Sequence, residues 1–181
     1  MIKAYYADIC DFPVPSDDDI GKNVYSVARA EYLFSLRAQK RLKQSYYMWL
    51  LLQKICKEVG VDCSDFERGQ NGNWFSPSLG YNFSFSHSEN IVLVAVSEAA
   101  LGVDVELISD RILKLKNKIT GSDSVYSAEE LTAIWTQKES EYKRGSSARF
   151  ITDKIIDCQK NEYCVCVCSD ENRVEFIQKT L

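Results

Sequence analysis

The sequence predicts an α+β protein with mostly antiparallel sheets, and three observations support that class. Hydrophobic residues make up 45% of the 181 residues and charged residues 27%, which is typical of a globular chain and argues against wholesale disorder. Segments of strand-like alternation and segments of helical periodicity follow one another in mixed order. The 8 glycines and 3 prolines are too few for a collagen-like or low-complexity architecture.

The first third of the chain predicts one strand and two helices. Residues 2–9 alternate as a strand does, and residues 13–19 read as a turn-rich connection. Helical periodicity covers residues 24–37 and 41–59. Gly60 stands where a helix C-cap belongs, so the second helix is expected to end there.

The remainder predicts a loop, short strands and one further helix. The loop covers residues 69–80, and short strands follow at 81–87, 91–97 and 102–107. Ser127 and Glu130 have the spacing of a capping box, which predicts a helix from there to about residue 144. The chain then predicts a hairpin of two strands, at 163–168 and 173–178.

The charge balance and the hydropathy pattern exclude some classes of function. Lys and Arg number 22 against 26 Asp and Glu, a net charge of -4, which is the opposite of the usual balance in a nucleic-acid-binding protein. The apolar runs at 48–52 and 91–96 are too short to cross a membrane. Neither a nucleic acid nor a membrane is therefore an expected partner.

The chain has seven cysteines, and three of them share one face of a predicted strand. Cys164, Cys166 and Cys168 alternate with valines. A zinc site is one interpretation, but ligands on one flat face lack a fourth partner and a tetrahedral arrangement. Small buried thiols in a reducing compartment are the favoured interpretation, and the predicted location is the cytoplasm.

The first pattern with a chemical meaning is Gly-Val-Asp-Val-Glu at residues 102–106. On a strand, Asp104 and Glu106 share one face while Val103 and Val105 face the core. Paired carboxylates suit Mg²⁺, which completes its coordination with water and substrate phosphate. The alternative is an edge strand whose acidic residues discourage aggregation.

The second pattern lies on the helix that follows. Glu139 comes one turn after the apolar Trp135, so it lies at the edge of the buried face. Lys143 follows one turn later, and Lys138 flanks the apolar stripe. The pattern brings a sheltered carboxylate together with two ammonium groups. The alternative is an ordinary surface Glu–Lys pair that contributes about 0.2–0.5 kcal/mol.

The third pattern is the alternation Phe-Ser-Phe-Ser-His-Ser at residues 83–88. Ser84, Ser86 and Ser88 share one strand face, and His87, the only histidine, lies on the other with the phenylalanines. Hydroxyls beside an imidazole are suited to hydrogen bonds with phosphate oxygens. The alternatives are a strand terminus with turn-forming serines and, less favoured, a Ser–His nucleophile pair.

In their order and spacing, the three patterns resemble those of the Sfp-type 4′-phosphopantetheinyl transferases. The motifs are Ser86-His87-Ser88, Gly-Val-Asp-Val-Glu at 102–106, and Trp-x-x-Lys-Glu-Ser-x-x-Lys at 135–143. The resemblance implies two similar α/β halves related by pseudo-twofold symmetry, residues 1–98 and 99–181, which form one compact, monomeric unit with the active site between them. It implies Mg²⁺-dependent transfer of the phosphopantetheine arm of coenzyme A to a serine of an apo acyl or peptidyl carrier protein, with release of adenosine 3′,5′-bisphosphate.

The resemblance also implies roles for individual residues. Glu139 would be the base for the carrier serine, with Asp104 and Lys143 as the other catalytic groups. The implied metal ligands are Asp104, Glu106 and Glu139. The implied contacts with coenzyme A are His87 on the 3′-phosphate, Ser86 near the nucleotide, Lys138 and Lys143 on the pyrophosphate, and Arg41 and Lys43 on the remaining phosphate.

Two other functions remain open from the sequence. The chain could be a non-catalytic relative that binds coenzyme A or a partner protein without transfer. It could also be another Mg²⁺-dependent phosphoryl or nucleotide enzyme that shares only the acidic residues. The joint presence of Asp104, Glu106, Glu139 and Lys143 favours an active transferase, since a simple binding protein does not need the third carboxylate.

Overall fold

A computed structural model describes residues 1–64, 66–69, 74–76, 80–122 and 124–181, and it confirms a mixed α+β chain rich in antiparallel sheet. The strands of the described residues are β1 Ile2–Asp8, β2 Glu67–Arg68, β3 Trp74–Phe75, β4 Asn82–Ser88, β5 Ile91–Ser97, β6 Leu101–Leu107, β7 Arg149–Ile156, β8 Glu162–Ser169 and β9 Val174–Gln178. The helices are α1 Asp17–Asn23, α2 Val27–Ser35, α3 Gln39–Val59, α4 Lys116–Thr120 and α5 Ala128–Arg144, with a 3₁₀ helix at Asp110–Leu115.

Two sheets form the centre of the molecule. The first has the strand order β4-β5-β1-β9 and the second the order β6-β8-β7. Their facing sides form one apolar core, in which Leu93 and Ala95 of β5 cluster with Val103 and Val105 of β6. The outer side of the first sheet packs against α1, α2 and α3 around the fully buried Trp49. Helix α5 covers the second sheet, so the layers run helix, sheet, sheet, helix.

The two sheets repeat one succession of elements. In the first, β1 is followed by helices ending with α3 and then by the hairpin β4–β5; in the second, β6 is followed by helices ending with α5 and then by the hairpin β7–β8. Each opening strand pairs antiparallel with the second strand of its hairpin. The strand orders β4-β5-β1 and β7-β8-β6 therefore match.

The predicted C-terminal hairpin is wrong. Both edges of β8 are taken, by β6 on one side and by β7 on the other. Strand β9 instead pairs in parallel with β1, where Ile2 is opposite Val174 and Tyr5 is opposite Ile177. The C-terminal strand thus belongs to the first sheet, whose other strands all lie before residue 98.

Other local predictions had mixed outcomes. The connection predicted at 13–19 is partly helical, because Ser16 and Asp19 form a capping box that opens α1. The strand β7 and the helical turns at 110–120 were not predicted. The caps at Gly60 and Ser127 are confirmed, Gly60 with a φ of 73°. The predicted loop at 69–80 lies mostly outside the described residues, and its Trp74–Phe75 portion pairs with Glu67–Arg68.

The cysteine-rich strand is buried, as the favoured interpretation predicted. Cys164, Cys166 and Cys168 face α5, and the Cys164 and Cys166 sulfurs lie 3.5 Å and 3.3 Å from the hydroxyls of Thr136 and Ser140.

In the described part of the chain, every helix is too short or too polar to cross a bilayer.

Candidate functional site

The candidate site is a cavity of about 360 Å³ between α2, α3, β4 and the end of α5. Four basic side chains and one carboxylate line the cavity. The basic residues are Arg29, Arg41, His87 and Lys143, and the carboxylate is that of Asp104. Tyr32, Trp74, Phe83 and Phe85 supply an aromatic part of the wall. The combination of cations and ring faces suits a phosphorylated aromatic ligand.

Asp104 and Lys143 form an ion pair at this cavity. The ammonium Nζ of Lys143 lies 2.7 Å from Asp104 Oδ1 and also donates to the Val103 carbonyl oxygen at 3.0 Å. The Asp104 side chain is 8% exposed and that of Lys143 is 23% exposed. The second carboxylate oxygen of Asp104, Oδ2, is buried and lacks a hydrogen-bond partner in the described part of the chain.

Gly102 sets the distance between the strand and the helix that carry this pair. A Cβ at Gly102 would overlap the Ser140 carbonyl oxygen and lie 2.6 Å from the Arg144 nitrogen. Only a residue without a side chain lets α5 approach β6 this closely. The first residue of the Gly-Val-Asp-Val-Glu pattern therefore positions Lys143 over Asp104.

The three serines of β4 join the edge of the first sheet to the edge of the second. The hydroxyls of Ser84, Ser86 and Ser88 accept from the backbone N–H groups of Val103, Val105 and Leu107, at 2.9, 3.2 and 3.1 Å. Ser86 Oγ also donates to Asp104 Oδ1 at 2.7 Å, and Ser88 Oγ to Glu106 Oε1 at 2.9 Å. The serines thus satisfy the open N–H groups of β6, a role the sequence did not predict.

Glu106 stands beside a second cavity, of about 260 Å³, whose lining includes Trp135 and Arg111. Burial raises the pKa of Glu106, against the lowering effect of the hydrogen bond from Ser88. Asp104 and Glu106 thus share one strand face, as predicted, but border different cavities.

Glu139 lies partly buried on α5, but the three predicted metal ligands are not gathered at one point. Among the described residues, the only trio of carboxylate, thiol or imidazole ligand atoms within 4.8 Å of one another belongs to Asp8, Cys10 and Cys158. Two features of Asp104 nonetheless suit a cation: its buried Oδ2 has no hydrogen-bond partner among the described residues, and Glu106 follows on the same face. The role of Glu139 as a ligand stays a prediction.

His87 faces the cavity as a neutral imidazole. Burial and, to a smaller extent, the positive charge of Lys143 lower the pKa of His87 to about 4. A bound phosphate would have the opposite effect, because a nearby anion favours the imidazolium form. His87 therefore lines the cavity in its neutral form, and its contact with a phosphate stays a prediction.

Two of the predicted phosphate contacts point elsewhere. Lys43 Nζ donates to the Cys10 carbonyl oxygen at 3.2 Å, and Lys138 Nζ donates to the Ile119 carbonyl oxygen at 2.5 Å. Neither lysine lines the cavity, whereas Arg41 does. Helical spacing placed Lys138 beside the apolar stripe and the resemblance implied the role of Lys43, but neither fixes the direction of a flexible side chain.

Arg29 is the site residue that the sequence analysis missed. It is 1% exposed, and its guanidinium stacks on Tyr32, Trp49 and Trp74 with distances of 4.9, 4.7 and 4.9 Å to the ring centroids. Its Nη2 donates to the backbone oxygen and the hydroxyl of Ser45, at 2.7 and 2.6 Å, while Nε is buried without a partner in the described chain. Burial lowers the pKa of Arg29 to about 9.

A buried guanidinium stabilised by rings and one serine is suited to an anionic ligand, because the described residues place no ion-paired carboxylate on it. The available sequence signal was its spacing of four residues from the buried Leu33, which places Arg29 on the inner face of α2.

Comparison with protein-family models and with curated proteins finds no match to this chain.

Proposed function

We propose that this chain transfers the 4′-phosphopantetheine group of coenzyme A to a serine of an apo acyl or peptidyl carrier protein, with Mg²⁺ as the metal. The observation that carries the proposal is the Asp104–Lys143 ion pair, which lies at the wall of a cavity lined by further cations. The three sequence motifs contribute residues to this one region: Ser86 and His87, Asp104, and Lys143.

The charges of the cavity support coenzyme A as the ligand. Its nucleotide end carries a 3′-phosphate and a pyrophosphate, and Arg29, Arg41 and Lys143 supply fixed positive charge. His87 adds a group that can become charged beside a phosphate. A volume of about 360 Å³ suits the nucleoside end of the molecule and leaves the pantetheine arm outside.

The acidic face of β6 supports a metal next to this cavity. Asp104 Oδ2 is a buried carboxylate oxygen for which the described ranges supply no hydrogen-bond partner, and such an atom is costly unless a cation binds it. Asp104 and Glu106 would hold the metal, with Glu139 as the third ligand that the motif implies. When bound, Mg²⁺ would neutralise the pyrophosphate and orient the leaving group.

The reaction is a substitution at phosphorus. The oxygen of the carrier serine bonds to the phosphorus that bears the pantetheine arm, the bond to the bridging oxygen breaks, and adenosine 3′,5′-bisphosphate leaves. Glu139 would accept the serine proton. Lys143 would stabilise the charge that develops on the leaving phosphate, because such transition states depend mainly on positioning and electrostatics.

The repeated succession of elements supports two halves related by pseudo-twofold symmetry. β1, α3 and the hairpin β4–β5 correspond to β6, α5 and the hairpin β7–β8. Strand β9 has no counterpart in this scheme and extends the first sheet. The first series ends with β5 at Ser97 and the second begins with β6 at Leu101.

One observation favours the alternative, a relative that binds coenzyme A without transfer. Lys143 already occupies Asp104 Oδ1, and the oxygens of Asp104, Glu106 and Glu139 are not within 4.8 Å of one another. A chain that kept this arrangement on binding coenzyme A would not assemble a three-carboxylate metal site.

A transfer assay with a binding measurement separates the two functions. The chain is incubated with tagged coenzyme A and apo acyl and peptidyl carrier proteins, with Mg²⁺ or with a chelator, and calorimetry measures the affinity for coenzyme A. We expect Mg²⁺-dependent labelling that Asp104→Asn abolishes and that Asp153→Asn, at an exposed β7 position, leaves unchanged. Binding without labelling of either carrier class would establish the alternative, and an absence of both would overturn both functions.

A further inference from the structure

A cluster of one carboxylate and two thiols lies where the end of β1 meets the turn between β7 and β8. The ligand atoms of Asp8, Cys10 and Cys158 all lie within 4.8 Å of one another. These residues line neither of the two cavities described above. Cys158 is exposed and Cys10 partly so, so a dissolved ion can reach them.

Hydrogen bonds hold the cluster in place across the two segments. Asp8 Oδ1 accepts from the Cys10 N–H at 2.8 Å, and Asp8 Oδ2 accepts from the Cys158 N–H at 2.7 Å. Gln159 Nε2 lies 2.9 Å from Cys10 Sγ. Each carboxylate oxygen keeps a further lone pair for a metal, and the Gln159 amide occupies the position of an outer-sphere partner of a thiolate.

The ligand types determine which ion would bind. Thiolates select zinc and other soft ions, whereas Mg²⁺ prefers an oxygen-only set. Zn²⁺ binds sulfur at about 2.3 Å and carboxylate oxygen at about 2.0–2.2 Å, so tetrahedral ligands lie roughly 3.5 Å apart. A separation of up to 4.8 Å therefore needs only a small rotation of the side chains.

We infer that Asp8, Cys10 and Cys158 form a Zn²⁺ site that joins the end of β1 to the β7–β8 turn. Water supplies the fourth ligand on the exposed side of Cys158. On binding, the two thiols release their protons to solvent, and hydrated Zn²⁺ loses all but one of its waters as two sulfur–zinc bonds and one oxygen–zinc bond form. No atom is oxidised or reduced. The site does not depend on the proposed transferase activity.

Cobalt is the spectroscopic probe for this site. The untagged, metal-free chain is kept reduced with a phosphine and titrated with Co²⁺. We expect thiolate-to-cobalt charge-transfer absorption in the near ultraviolet, together with the visible bands of tetrahedral cobalt, saturating at one equivalent. Zn²⁺ should then displace the cobalt and bleach both sets of bands.

Substitutions assign the ligands. Cys10→Ala and Cys158→Ala should each abolish the thiolate band, whereas Cys168→Ala, which removes a buried β8 thiol, should keep it. Asp8→Asn should weaken binding, while Asp11→Asn, the neighbouring exposed carboxylate, should not. Circular dichroism checks that each variant is folded. A thiolate band that survives in both Cys10→Ala and Cys158→Ala would overturn the site, as would its absence from the parent chain.

The thermal stability provides a second readout that needs no cobalt. At a free Zn²⁺ concentration about 100 times the Kd, the parent chain should gain about 5–10 °C in Tm. Gln159→Ala, which removes the contact with the Cys10 sulfur, should lower the affinity by about 10-fold and keep the spectrum. An equal gain in Tm for the parent and Cys158→Ala would contradict the inference.

Discussion

Ser86 Oγ donates a hydrogen bond to Asp104 Oδ1 at 2.7 Å while it accepts one from the Val105 N–H at 3.2 Å. One hydroxyl therefore fixes the acidic side chain of the candidate site and closes the open edge of β6. Because β4 and β6 belong to different sheets, the contact also ties the two sheets together at the site.

Removal of this hydroxyl should destabilise the fold more than removal of its neighbour. Ser86→Ala leaves the buried Val105 N–H without its partner and removes one of the two side-chain hydrogen bonds to Asp104 Oδ1, which keeps the bond from Lys143. Ser84→Ala affects only the Val103 N–H. In urea denaturation, we expect the free energy of unfolding to fall by about 1–2 kcal/mol for Ser84→Ala and by about 2–4 kcal/mol for Ser86→Ala. Equal losses would show that the bond to Asp104 contributes nothing.

Gly102→Ala tests the close contact of α5 with β6. The added methyl group would overlap the Ser140 carbonyl oxygen, so the helix must move and carry Lys143 away from Asp104. We expect a loss of about 1–3 kcal/mol in the free energy of unfolding, as for other overpacked contacts, and a fall in any transferase turnover.

The matched control for this change is Gly21→Ala. Gly21 lies in α1, and a Cβ there would meet nothing within 4 Å. Alanine should stabilise that helix by about 0.5–1 kcal/mol, or leave the stability unchanged. If Gly102→Ala behaved like Gly21→Ala, the close approach of α5 would not be what positions Lys143.

Alternation and caps predicted most single elements of the fold, but they could not predict which elements meet. The two-residue alternation of a strand correctly predicted that Ser84, Ser86 and Ser88 share one face. Their hydrogen-bond partners, however, are backbone N–H groups of a strand in the other sheet. Backbone pairing rules do not describe that contact, since side chains make it.

The hairpin prediction failed for a similar reason, because it took sequence neighbours for spatial neighbours, whereas β8 has β6 and β7 at its edges.

The sequence singled out Asp104 and Lys143 as site residues, but it predicted neither their ion pair nor the buried Arg29. Asp104 and Lys143 belong to patterns whose spacing carries chemistry, and they meet at 2.7 Å. Arg29 belongs to no such pattern, and a charged residue on a helix is ordinarily exposed. The ring faces of Tyr32, Trp49 and Trp74, which come from three separate segments, make its burial possible together with two hydrogen bonds to Ser45.

His87 should make the stability fall in mildly acidic solution. Its pKa is about 4 in the folded chain and about 6.5 in an unfolded chain, so between these values the unfolded state binds more protons. Stability is therefore unaffected above pH 6.5 and decreases as the pH falls towards 4. We compare the free energy of unfolding of His87→Gln and of the parent, measured with urea at pH 7 and at pH 4.5. The difference should shift in favour of the variant by about 2 kcal/mol from the higher to the lower pH. A constant difference between the two proteins would contradict the lowered pKa.

The same histidine reports on the ligand, because the chain has only one. Its imidazole resonances in a proton NMR titration should give a pKa of about 4 for the free protein and a higher pKa with coenzyme A bound. Dephospho-coenzyme A, which lacks the 3′-phosphate, should raise the pKa less. An equal pKa with both ligands would place the 3′-phosphate away from His87.

Arg29→Met separates the effect of the buried cation on stability from its effect on ligand binding. Methionine fills a similar volume against the three rings, and replacing a buried charge by an apolar side chain is often neutral or stabilising. The loss of the hydrogen bonds to Ser45 acts in the other direction, by about 1 kcal/mol. We therefore expect the ligand-free variant to match the parent within about 1 kcal/mol in urea unfolding.

In the presence of coenzyme A, the parent and Arg29→Met should differ in their thermal stability. The parent should gain stability as the anion pairs with the guanidinium, and Arg29→Met should lose most of that gain, measured as the rise in Tm with ligand concentration. Arg37→Met, at an exposed position after α2, is the control for a general loss of positive charge and should keep the gain. A merely structural arginine would give the reverse pattern: a variant that is less stable without ligand and an unchanged response to it.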